Sequence, residues 1–164
     1  MTKLQIGTIA SAVVLFLVLY FGCDTKPGNY DEVVKARANN IENTNINSLL
    51  VSARKTLQPS QANIIMALDN QLEKALVDSA IIETLKSLSG RWYEYGRPDI
   101  AGHYAMEIAD KQNTEDAWSI SGTTFSLCVQ RMEEEKIKNY CTNKAVQSFE
   151  NAISINPDNP QHHL

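Results

Sequence analysis

The chain has 164 residues, 43% of them hydrophobic and 21% charged, which suits one modest core and is too apolar for a disordered chain. Its formal net charge is −4 and its 15 Lys and Arg are scattered, so no basic surface is available to neutralise phosphates. No nucleic acid partner is expected.

The N-terminus places Lys3 ahead of an uncharged, mostly apolar run from Ile6 to Gly22. That length approaches the roughly 20 helical residues that cross a bilayer. Residues 1–22 therefore read as a membrane segment, either a secretory signal that is cleaved or an anchor helix that is kept. Either fate sends the rest of the chain outward, and Lys3 with the amino terminus agrees with a cytoplasmic start. Cys23 comes directly after the run, behind Gly22. The stretch VLYFGC resembles the lipobox of bacterial lipoproteins, which makes Cys23 the candidate lipid anchor. Residues 23–45 are polar, broken by Pro27 and Gly28, and read as a linker with one short helix around Tyr30 to Ala38.

From Ile46 onward the periodicity is helical. Residues 46–81 are expected to form amphipathic helices that pack on the helices C-terminal to them. Pro59 and Ser60 mark a helix entry, and Ile64, Leu68, Leu72, Ala75 and Leu76 are expected on one face. Ile81, Leu85, Leu88 and Trp92 then form a stripe, and Gly96 and Pro98 a break. Ile100, Ala101, Tyr104, Ala105 and Ile108 form a second stripe, after which Thr114 is placed to cap the next helix. No alternating run of strand residues occurs, so the fold class is all-α.

Trp118, Gly122 and Phe125 are succeeded by Ala145, Phe149, Ala152 and Pro157, the last four at spacings of four, three and five. This pattern resembles the tetratricopeptide repeat (TPR), with Ser121 where that signature has Leu. One repeat length earlier, Leu85, Leu88, Ser89 and Trp92, then Gly96, Ala101, Ala105 and Ile108, form a degenerate copy in which Ser89 replaces the close-packing Gly. The resemblance implies a right-handed solenoid of antiparallel helix pairs, with repeats at 82–114 and 115–159. The second carries about eleven extra residues within LCVQRMEEEKIKNYCTNK, read as lengthened helices with a solvated, charged tip. Residues 160–164, beginning at Pro160, read as the start of a further repeat. The expectation is that the chain continues into more repeats, or that an apolar edge is exposed around Phe149, Ala152, Ile153 and Ile155.

If Cys23 carries lipid, Cys128 and Cys141 remain as an even pair outside the cytoplasm, either a disulfide or two buried thiols. The three histidines, His103, His162 and His163, have no Asp, Glu or Cys neighbours at triad or ligand spacing, and His103 is expected to be exposed on a helix. Trp92, Tyr93 and Tyr95 are explained by packing. No catalytic residues, metal or cofactor are expected, nor a small-molecule substrate, and the chain is read as a non-enzyme. In TPR proteins the first helices of successive repeats line a groove for peptides or partner domains. Carried onto this sequence by register, that groove comprises Glu83, Lys86, Tyr93, Glu94, Asp116, Ser119 and Thr123. Its acidic bias favours a basic or mixed partner segment. The resemblance implies a scaffold tethered in the bacterial cell envelope and facing the periplasm. The alternative is a non-catalytic accessory subunit of an envelope enzyme or secretion machine.

Overall fold

Local sequence signals set the helix limits in the computed structural model, which describes residues 44–157 and Phe16. The expectations for the apolar run, for Cys23, for the helix at 30–38, and for Pro160, His162 and His163 fall outside the described residues. The chain divides into two units, Met1–Ala38 and Asn39–Leu164, and helices α1 to α6 belong to the second. Among the described residues no helix is long and apolar enough to cross a membrane.

Helix α1 (Ile46–Arg54) begins where Asn45 Oδ1 accepts from Ser48 N at 2.9 Å. Helix α2 (Pro59–Lys74) has Pro59 in its first turn, and Gln61 Oε1 reaches back to Gln58 N at 2.9 Å. Helix α3 (Asp78–Glu94) ends before Gly96, whose φ of +75° turns the chain into α4 (Pro98–Gln112), again opened by a proline. Asn113, at φ 46°, closes α4, and Thr114 Oγ1 caps α5 (Glu115–Arg131) by accepting from Ala117 N. Helix α6 (Glu135–Ile155) is the longest of the six, at 21 residues.

Consecutive helices from α2 to α6 pack on one another, and α1 packs on α4. Lys111 near the end of α4 meets Asp78 at the start of α3, and Ser89 Oγ donates to Ala101 O between them, so α3 and α4 run antiparallel. In the next pair, Asn156 beyond α6 reaches Glu115 at the start of α5, while the buried hydroxyls of Ser121 and Ser148 lie 2.9 Å apart. The burial pattern of α3 recurs in α5: Leu85 and Trp118, Leu88 and Ser121, Ser89 and Gly122, Trp92 and Phe125 are each 33 residues apart. In α4 and α6 the matching pairs, such as Ala101 with Ala145 and Ile108 with Ala152, are 44 apart. The difference is the eleven-residue insertion. Both hairpin loops, 95–97 and 132–134, have three residues, so the insertion is helical. It lengthens α5 by one turn past the position matching Glu94 and starts α6 two turns before that matching Pro98, leaving Glu133 and Glu134 exposed at the tip.

Two expectations from helical spacing are corrected, and burial in α6 is also uneven. In α2 the fully buried residue is Ile65, with Leu68 and Leu72 packed on the core, whereas Ile64 is exposed. The helix ends at Lys74, so Ala75 leaves the helical face and Leu76 projects into solvent at 95% exposure. In α6, Ala152 is fully buried rather than at an edge, because it faces α5, and Phe149 lies against Gly122; Ile155 is exposed, as is Val146.

The helices approach closely where a glycine meets a ring. A Cβ at Gly102 would lie 2.7 Å from the Phe125 ring, and one at Gly122 would lie 2.7 Å from the Phe149 ring. The structure joins Cys128 to Cys141 in a disulfide, with both residues fully buried. Cys128 is the first residue of the α5 extension and Cys141 the last of the α6 extension, so the bond closes the insertion at its root.

These contacts set the expected response to substitution. Gly102→Ala should destabilise by about 1–3 kcal/mol in urea unfolding, since Phe125 is fully buried and cannot swing away. Gly90→Ala, which meets nothing within 4 Å in mid-helix, should stabilise by up to about 1 kcal/mol. The double change Cys128→Ala with Cys141→Ala should cost about 2–3 kcal/mol for a bridge spanning 13 residues. Reductant should move the wild type to the same urea midpoint and leave the variant where it is.

Candidate functional site

Helices α3 and α5 both pack on α4, and a cavity of about 320 Å³ opens between them. Lys86, Ser89 and Gly90 of α3 form one wall and Ala117 and Ile120 of α5 the other, with Ala105 and Ile108 of α4 between. Several of the residues facing it are small, which leaves the space between the helices. Ile120, a large apolar side chain at its rim, is 62% exposed.

Of the seven residues expected in the groove, Lys86 alone lines this cavity. Its Nζ lies 3.0 Å from Glu83 Oε1, and Glu94 similarly pairs with Arg91 at 2.8 Å. Both pairs are exposed and add little to stability. Tyr93 is half-buried beneath the Arg131 guanidinium, 5.0 Å from the ring centroid, which links α3 to the extension of α5. Asp116 and Thr123 are exposed on α5 and Ser119 is half-buried, none of them at the cavity wall. Sequence reasoning missed Gly90, Ile120 and Arg131. For Ile120 a signal existed, because it is apolar yet falls outside the buried stripe formed by Trp118, Ser121 and Phe125.

Other polar groups of the core lie away from this cavity. Arg97 grips the fully buried Asp99 carboxylate with two donors. Trp92 is fully buried, which fits packing rather than an aromatic ligand box. Burial pushes the Tyr104 hydroxyl up to about 12, helped by the negative charge of Asp69. Tyr140 is likewise pushed up to about 12, first by burial and then by Asp99. Burial also raises the Asp69 carboxyl, with Arg54, 2.8 Å away, opposing it. His103 differs from the sequence expectation: it is half-buried, with Nε2 3.0 Å from Glu107 Oε1, because α1 and α6 flank this face of α4. Among the described residues no cluster of three His, Cys, Asp or Glu could hold a metal ion. No family model matches the chain, and no curated protein and no solved structure matches it.

The tyrosines give a pH signature. An unfolded tyrosine ionises near pH 10, whereas Tyr104 and Tyr140 stay neutral until about pH 12 when folded. Their contribution to stability is complete below pH 10 and is lost as pH rises towards 12. A titration at 295 nm should show late tyrosine ionisation near pH 12, and Tyr104→Phe and Tyr140→Phe should each remove one late step.

Proposed function

We propose that this chain is a membrane-tethered helical scaffold of TPR type that holds a protein partner between α3 and α5, in the bacterial cell envelope. The observation that carries the reading is the exposed Ile120 at the edge of the cavity. Interfaces place an apolar anchor in a small pocket and surround it with polar contacts, and Ile120 with Ala105 and Ile108 supplies such a pocket, with Lys86, Ser89 and Gln112 as its polar lining. The 33-residue recurrence between α3 and α5 supports a repeat in which successive first helices face the same way. Glu83, Glu94 and Asp116, against Lys86 and Arg91, leave a slight acidic excess on these exposed helix faces, which favours a partner segment that combines an apolar side chain with basic ones. The apolar run ahead of Cys23 supports the tether.

A photo-crosslinking residue at Thr123 tests the groove in cells. A discrete adduct is expected there, absent from the same probe at the exposed Val51 of α1 and lost on Ile120→Asp. Equal labelling at both positions would sink the reading. Intact mass of the membrane-extracted protein tests the tether. A lipidated species starting at residue 23, lost in Cys23→Ala, means an acyl anchor, whereas an unprocessed mass means an anchor helix.

A further inference from the structure

Helix α4 has two working faces. Ile108 faces the groove, while His103, roughly 140° away around a helix of 3.6 residues per turn, faces a second cavity that no groove residue touches. This cavity is about 410 Å³ and lies where the start of α1 crosses α4 and α6. Small-molecule sites typically range from about 300 to 1,000 Å³ and are mostly apolar, with a few placed polar groups.

Thr44 and Ile46 line one side, His103 the floor, and Tyr140, Asn143 and Lys144 of α6 the other side. Among the described residues no carboxylate lines the space, although the chain is acidic as a whole. Lys144 Nζ has an uncharged partner there, Gln147 Oε1 at 3.0 Å, so its charge is not neutralised by that contact. The carboxylate paired with His103 is Glu107, a turn further along α4 and outside the lining. Thr44 is 6% exposed, and its hydroxyl has no hydrogen-bond partner among the described residues. Tyr140, a phenol, brings no negative charge at neutral pH.

We propose that this cavity binds a small monocarboxylate with an apolar body, the carboxylate on Lys144 and Asn143 and the body against Ile46 and the Tyr140 ring. The one ammonium in the lining balances a single negative charge, whereas a phosphate dianion would keep a second charge uncompensated. Because α1 contributes one wall and α6 the other, the bound ligand ties the start of α1 to the last helix pair. The site shares no lining residue with the groove.

The test is calorimetric titration of the full chain in zwitterionic lipid nanodiscs with phenylacetate, hexanoate, their neutral amides and inorganic phosphate. Saturable binding of at least one carboxylate is expected, about tenfold or more tighter than its amide. Lys144→Gln should bring acid and amide to the same affinity, Lys144→Arg should preserve the preference, and Asn143→Phe, filling the mouth, should abolish both. Each variant is compared with the wild type by circular dichroism. No saturable carboxylate binding up to about 10 mM, equal affinity for acid and amide, tighter binding of phosphate, or indifference to Asn143→Phe would each overturn the proposal.

Discussion

An aromatic ring laid on the bare backbone of a glycine sets the distance between helices throughout the second half of this chain. Two helices can come only as close as the side chains at their crossing permit. Helix α5 uses this contact in both directions: its Phe125 ring covers Gly102 of α4, and its Gly122 receives the Phe149 ring of α6. It is therefore the hub of the packing. The buried Ser121 to Ser148 contact and the edge-on packing of Phe125 against Tyr140 are available only because the backbones have already been brought together. A methyl group at either glycine would separate α5 from a neighbour and disturb contacts well beyond its own volume.

Much of this was legible in the residues. The stripes of α3 and α4, the entries at Pro59 and Thr114, and the placing of the insertion inside helices all come from spacing and capping chemistry. Ser121 and Ser89 stand where the repeat signature has Leu and Gly, and the structure gives each a hydrogen bond across its helix pair. Such pairing depends on residues 27 and 12 positions away, which one-dimensional periodicity does not contain. The exchange of Ile64 for Ile65 has another cause. Adjacent apolar residues both fit a helical period, and the choice between them is made by the docking of α2 on α3.

Of the seven residues that register nominated, only Lys86 lines the cavity between α3 and α5, because much of that lining is small side chains such as Gly90 and Ala105, which a register of exposed polar positions does not pick out. His103 was misjudged for a related reason. Its exposure depends on α1, and nothing in the local sequence of either helix announces that they meet.

The placement of the disulfide reaches beyond the folded state. With Cys128 held to Cys141, the unfolded oxidised chain keeps a closed loop at the point where α5 turns towards α6. Refolding therefore begins with the two arms of that hairpin already in register, and the closure entropy of its first contact is absent. Outward from that fixed point lie Phe125 with Tyr140 and then Ser121 with Ser148, pairs progressively farther apart in sequence. The hairpin can assemble like a zipper from its tip, so that α5 offers α4 a finished surface on which to condense.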